Sequence, residues 1–201
     1  TGYHVASVLV DGTTATLVGG TTYTFSNVTA NHTIAVTFAI DTFVVTALAG
    51  PNGRITPTTP TVVYGGDQAF EISADTGYHV ADVMVDGNSV GAVTSYTFRN
   101  VTTTGHTIVA TFAIDTFTVN ATAGANGTIT PSGTTTVNYG SSQTYTVTPA
   151  TGYHVESVLV DGTAATVTAG SYTFSNVTAN HTLAVTFAID TFTITASAGS
   201  N

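Results

Sequence analysis

The stretch Ala39-Ile40-Asp41-Thr42-Phe43 returns as Ala113-Ile114-Asp115-Thr116-Phe117 and again as Ala188-Ile189-Asp190-Thr191-Phe192. Each copy sits between two runs in which apolar and polar residues alternate. One such run is His32-Thr33-Ile34-Ala35-Val36-Thr37-Phe38, and another is Phe117-Thr118-Val119-Asn120-Ala121-Thr122-Ala123. A period of two marks a half-buried β-strand. Only Asp-Thr separates the runs, so the last strand of one repeat feeds the first strand of the next. No Gly/Ser or Pro-rich linker is present to let the repeats swing. The expected architecture is a rigid tandem array.

The repeat length follows from a second motif. Thr-Gly-Tyr-His-Val begins at Thr1, Thr76 and Thr151, so both steps (76 minus 1, and 151 minus 76) are 75 residues. Solenoid repeats are shorter, about 20–50 residues. A unit of this size closes its own small core, though it buries only about 60% of its unfolded surface. The chain therefore divides into residues 1–41, the C-terminal half of a repeat; 42–115 and 116–190, complete repeats; and 191–201, the first strand of a following repeat. Two loops change length between copies, which marks them as surface loops. In the first complete repeat they span 87–95 and 101–106.

Within residues 117–189 the alternation gives about seven strands separated by Gly, Pro, Asn and Asp turns. The residues expected to face inward are Phe117, Val119, Ile129, Val137, Tyr145, Val147, Tyr153, Val155, Leu159, Phe174, Leu183, Val185 and Phe187, while mostly Thr, Ser, Asn and Ala face out. Asp161-Gly162, like Asp11-Gly12 and Asp86-Gly87, is a hairpin-turn signal. No window keeps a 3.6-residue period over ten residues, so no helix is expected. The fold class is all-β, a tandem array of small β-sandwich-like domains joined head to tail.

Composition narrows the function. The chain is 42% hydrophobic and only 6% charged, with a net charge of −9 and Arg54 and Arg99 as its only cations. Ordinary domains carry about 25% charged residues. A nucleic-acid partner needs a basic footprint, and an anionic membrane surface needs cationic residues; this chain has neither. No apolar run reaches the ~18 residues of a spanning helix, so membrane insertion is not expected. Without Cys there are no disulfides or thiolate metal sites. Without Lys there is no Lys–Asn isopeptide staple and no Schiff base. A Thr-rich, cation-poor, repeated β-chain has the composition of an extracellular surface protein.

The repeat runs from Phe117-Thr118-Val119 through Gly127-Thr128-Ile129-Thr130-Pro131 and Val137-Asn138-Tyr139-Gly140. It continues through Gly152-Tyr153-His154-Val155-Glu156-Ser157-Val158-Leu159-Val160-Asp161-Gly162. It closes with Tyr172-Thr173-Phe174-Ser175-Asn176-Val177-Thr178 and His181-Thr182-Leu183. This pattern resembles the divergent internalin B-repeat type of bacterial domain, and its copies cover essentially the whole chain. The resemblance implies tandem modules of large secreted or cell-surface prokaryotic proteins, serving as spacers or adhesion stalks rather than enzymes. The better-characterised B-repeat is similar to a β-grasp fold with a helix. The present sequence has no helical stretch, so that topology is not carried over.

Candidate chemistry is sparse. His4, His79 and His154 follow Gly-Tyr, and His32, His106 and His181 precede Thr. They are either metal ligands, if strand pairing brings two together, or hydrogen-bonded strand positions. Asp11, Asp86 and Asp161 read as turn residues, with calcium as the alternative. Asp41, Asp115 and Asp190 either hold a Ca²⁺ ion between repeats or accept backbone N–H bonds at a tight crossover. No other cofactor is expected. Asn27, Asn31, Asn100, Asn176 and Asn180 lie in N-x-Thr sequons, candidates for glycosylation; Asn120 and Asn126 match the same pattern. Ser, His and Asp all occupy repeated positions, whereas a catalytic site needs unlike residues converging in one pocket. No catalysis is expected.

The junction residues Ile40, Asp41, Thr42 and Phe43, with Ile114, Asp115, Thr116 and Phe117 and with Ile189, Asp190, Thr191 and Phe192, are expected to join consecutive repeats. Residues 1–40 alone would expose half a core. Either upstream residues or a second copy would cover it, with residues 191–196 as the matching strand. The expected role is a structural module of a secreted or cell-surface filament or stalk, with other copies or neighbouring repeats as head-to-tail partners. The alternative is an adhesin that binds a glycan or a surface protein through loops 87–95 and 101–106.

Overall fold

A computed structural model of the chain describes residues 1–197. The tail of the expected 191–201 segment, residues 198–201, lies outside the described residues. Among the described residues every regular element is a β-strand, as the two-residue period requires. The chain separates into two compact units, Thr1–Ala113 and Ile114–Asn201.

The first unit begins with β1 (Tyr3–Val10), β2 (Thr13–Thr14) and β3 (Ile34–Ile40), which form an antiparallel sheet in the order β2-β1-β3. There follow β4 (Thr42–Val44), β5 (Thr46–Ala49), β6 (Gly53–Thr56), β7 (Thr61–Val63) and β8 (Gly66–Ala74). The remainder are β9 (Tyr78–Val85), β10 (Asn88–Gly91), β11 (Ser95–Val101) and β12 (Thr107–Ile114). They build a four-stranded sheet, β10-β9-β12-β5, a three-stranded sheet, β11-β8-β6, and the pair β4-β7. Val45, Val83 and Ile108 from one side and Ile55, Phe70 and Phe98 from the other share one buried cluster.

The second unit repeats the plan. Its strands are β13 (Thr116–Ala123), β14 (Gly127–Thr130), β15 (Gly133–Asn138), β16 (Gln143–Pro149), β17 (Tyr153–Val160), β18 (Thr163–Ala164), β19 (Ser171–Phe174) and β20 (His181–Ile189). A five-stranded sheet runs β15-β13-β20-β17-β18, and a three-stranded sheet runs β14-β16-β19. Val119, Leu183 and Val185 of the larger sheet meet Ile129, Tyr145, Val147 and Phe174 of the smaller in a single core. Of the residues expected to face inward, Tyr153 and Leu159 are not part of it: a β-bulge between Val155 and Ser157 shifts the alternation of β17, so Val158 is buried and Leu159 is 38% exposed.

One pairing organises the repeat. β13 lies beside β20 and parallel to it, with Val119 opposite His181, Ala121 opposite Leu183 and Ala123 opposite Val185. In the first unit β5 pairs with β12 in the same sense, Ala47 opposite Ile108. Parallel neighbours need a crossover of at least a dozen residues; here everything between the first and last strands is that crossover. The chain thus enters a repeat at one end and leaves it at the other.

Candidate functional site

The Asp-Gly turns are local in origin. Asp11 and Gly12 (φ 51° and 78°), Asp86 and Gly87 (49° and 82°), and Asp161 and Gly162 (50° and 76°) are all left-handed. Positive φ at both central residues is the two-residue hairpin that matches strand twist. The flanking residues pair accordingly, Val10 with Thr13, Val85 with Asn88 and Val160 with Thr163.

Each turn aspartate then reaches across to the start of the last strand. Asp161 donates its N–H to the Thr182 carbonyl (3.1 Å), and its Oδ1 accepts the Thr182 N–H (2.7 Å). Oδ2 pairs with His181 Nδ1 at 2.7 Å, and the imidazole stacks on Phe174 at 4.9 Å between centroids. Asp86 repeats this with Thr107 (2.8 Å) and His106 (2.8 Å), and Asp11 with Thr33 (2.8 Å) and His32 (2.8 Å). An ionised carboxylate only accepts, so Nδ1 carries the proton in each pair. The hydrogen bond from His181 and then the Thr182 N–H hold the Asp161 carboxyl below its ordinary value, against a small opposing push from burial. Burial acts most strongly on Asp86, pushing it up, but the Thr107 N–H and His106 together outweigh it. For Asp11 the Thr33 N–H leads and His32 follows.

A second clasp forms at Asp41 and at Asp190. His4 Nδ1 bonds Asp41 Oδ1 at 2.8 Å, and His154 Nδ1 bonds Asp190 Oδ1 at 2.9 Å. Asp41 donates its N–H to Gly2 O (2.9 Å) and accepts the Tyr64 N–H (2.8 Å), so one residue ties residues 1–40 to the following repeat. Asp190 bonds Gly152 O (2.8 Å), and Asp115 O accepts the Tyr139 N–H (2.8 Å). Asp41 and Asp115 are each the single residue between consecutive strands; Ile40 and Ile114 end one strand, and Thr42 and Thr116 start the next. Phe43 and Phe117 pack half-buried against their cores, 6.3 Å from Tyr64 and Tyr139 respectively. Ile189 ends β20, while Thr191 and Phe192 lie beyond it, exposed.

His4, His32, His106, His154 and His181 thus meet aspartates, and among the described residues no three metal-ligating side chains converge. The signal for this pairing is the recurrent separation of about twenty residues between turn Asp and His, which no local rule connects. His106 Nε2 also lies 3.3 Å from Thr103 Oγ1, on an exposed loop. Of the sequon asparagines, Asn27, Asn100 and Asn176 are left-handed turn residues (φ 51°, 53° and 52°). Asn31 is exposed before β3. Asn180 Oδ1 accepts the Thr118 N–H at 2.8 Å, tethering its loop to the first strand, where Asn120 also lies. Asn126 occupies a left-handed turn (φ 68°).

Residues 117–199 match the family model of the divergent InlB B-repeat domain. The same motifs stand in residues 43–114, and those of the repeat's second half stand in 1–40. No curated protein matches the chain. Among solved structures the chain is similar to the Bacillus anthracis TIE protein, with 11% identity and a TM-score of 0.35 over 78% of this chain. The chain spans 37% of the length of that structure.

Proposed function

We propose that this chain is a stretch of an extracellular or cell-surface stalk of bacterial type, built from β-sandwich-like repeats of about 75 residues joined head to tail. The carrying observation is the parallel pairing of first and last strands, β13 beside β20. A repeat with its entrance and exit at opposite ends extends an array when the next repeat starts one residue later. The two-bond anchoring of Asp41 resists bending at that step. The low charge and hydroxyl-rich outer faces suit a spacer outside the cell, and the divergent B-repeat match over 117–199 supports that setting. Its role is mechanical and non-enzymatic: the Thr103 hydroxyl beside His106 is exposed to solvent, whereas catalysis requires a dry, walled site.

Small-angle scattering on the chain tests the reading. A rod-like profile is expected, together with no binding on a glycan array. A profile that fits only freely swivelling repeats would sink the stalk role, and selective glycan capture would make the chain an adhesin.

A further inference from the structure

Asp86, His106 and Thr103 form a relay. Asp86 Oδ2 accepts the Nδ1–H of His106 at 2.8 Å, and His106 Nε2 lies 3.3 Å from Thr103 Oγ1. With the proton on Nδ1, the neutral ring keeps its lone pair at Nε2, so the Thr103 hydroxyl is the donor there. Two further bonds fix the aspartate. Its Oδ1 accepts the Thr107 N–H (2.8 Å), and its own N–H reaches the Thr107 carbonyl (2.9 Å). Phe98 packs against the imidazole, 5.2 Å between centroids. The ring is thereby held in one tautomer and one orientation, as a base that activates a hydroxyl must be.

A threonine stands three residues before this histidine in every copy: Thr29 before His32, Thr103 before His106 and Thr178 before His181. Among the described residues, Thr103 is the one of the three that bonds the ring. The residue just before the histidine accounts for the difference. In the second unit it is Asn180, whose Oδ1 accepts the Thr118 N–H (2.8 Å) and ties the loop to β13. In the first complete repeat it is Gly105, left-handed at φ 90° and without an amide to tie the loop. That loop, Asn100–His106, is also one residue longer than Asn176–His181. The extra residue and the left-handed step bring Thr103 to Nε2.

We propose that Thr103 is an acyl-acceptor site, whose hydroxyl captures the acyl group of an activated ester. Thr103 Oγ bonds the acyl carbon while Nε2 takes the hydroxyl proton. The bond from the acyl carbon to the leaving group breaks, and the leaving group departs with the electron pair and receives the proton from Nε2. The products are a Thr103 ester and the protonated leaving group. The reaction is one transfer without turnover. Passing the acyl group on to water would require expulsion of the Thr103 alkoxide, a far stronger base than the leaving group of an activated ester. The exposure that denies Thr103 a closed active site lets a bulky donor reach it. The inference goes beyond the stalk reading, since it concerns one loop and holds whether or not the repeats are stiff.

Incubation of the chain with p-nitrophenyl acetate, followed by intact-mass and fragment-mass analysis, is the test. The chain has no Lys and no Cys, so the amine and thiol side chains that usually capture such a probe do not compete. An acetyl group retained on Thr103 is expected, forming roughly 100-fold faster than on Thr29 or Thr178, the low end of what a positioned base contributes. Thr103→Val should remove this label, and its exposed place on the loop keeps the fold intact. His106→Gln should slow labelling of Thr103 to the rate at Thr178, with circular dichroism confirming the β-fold. Labelling of Thr103 no faster than of Thr178 in the parent chain would overturn the proposal, and that comparison needs no variant. So would release of p-nitrophenolate that leaves no acetyl on Thr103, which would make the imidazole itself the nucleophile. Labelling of Thr103 indifferent to His106→Gln would overturn it equally.

Discussion

The far end of the Phe187 ring packs on the backbone of Gly127, so close that a Cβ built on that glycine would clash with Cζ, Cε1 and Cε2; Phe112 and Gly53 repeat the contact in the first unit. Gly127 holds the two sheets of the repeat together, because Phe187 belongs to β20 and Gly127 to β14. Its backbone is not left-handed, so substitution there tests packing alone. Gly127→Ala should destabilise the repeat by about 1–3 kcal/mol, the usual cost of overpacking. Urea unfolding checks this. Adding Phe187→Leu should recover part of the loss, and additive costs would show that the two residues are not coupled.

Tyr145 presents the opposite case. Its side chain is fully buried, and its hydroxyl has no hydrogen-bond partner. An unsatisfied buried hydroxyl costs about 1–3 kcal/mol. The first complete repeat has Phe70 at this position, equally buried. Tyr145→Phe should therefore stabilise the second unit by about 1 kcal/mol, seen as a higher urea midpoint with an unchanged slope. A loss of stability would mean that the hydroxyl has a partner in solution.

The residues that alternate between core and solvent, and the Asp-Gly turns, were legible because each depends on neighbours in sequence. Alternation fixes which face Tyr145 or Leu183 presents, and Asp161-Gly162 fixes a hairpin. The parallel placement of β13 beside β20 was not legible. Strand alternation specifies a face, not the neighbour along the edge, and the partners lie a whole repeat apart. The His181–Asp161 clasp escaped for the same reason: hairpin geometry brings Asp161 to the turn, but only the packing of β17 on β20 brings it to His181. The expected seven strands became eight, through the two-residue β18 (Thr163–Ala164) that completes the Asp161-Gly162 hairpin. β15 runs from Gly133 to Asn138 because β13 offers it partners from Ala121 back to Thr116.

The clasps predict an acid limb. The carboxyls of Asp11, Asp86 and Asp161 sit below their ordinary value of 3.8 in the folded chain. Below that value the unfolded chain takes up protons before the folded one, so stability falls as the pH falls. The contribution is fully present above pH 3.8 and disappears as the pH drops through the lowered folded value. Asp161→Asn, which still accepts one bond but carries no charge, should be less stable than the parent at neutral pH. The two should converge in strong acid, where the parent carboxyl is neutral as well. Thermal melts of both proteins from neutral pH downward check this; a gap that stays constant with pH would exclude the ionised clasp.

The junction at Asp41 makes a sharper claim about stiffness. Gly2 is left-handed (φ 77°), and the ring of Tyr64 fills the space a side chain would need. The contact lies beside the bonds from Asp41 N–H to Gly2 O and from Tyr64 N–H to Asp41 O. Gly2→Ala meets two penalties at once. The left-handed backbone costs a non-glycine residue about 1–2 kcal/mol, and the new methyl expels the Tyr64 ring. Residual dipolar couplings read the consequence directly. In the parent, residues 3–40 and 61–101 should share one alignment tensor; in Gly2→Ala they should need two. Tyr64→Ala, which keeps the backbone bonds but removes the ring, should fall between them. Two tensors in the parent chain itself would mean that the short Asp-Thr crossing bends freely, and that the bonds at Asp41 do not hold consecutive repeats in line.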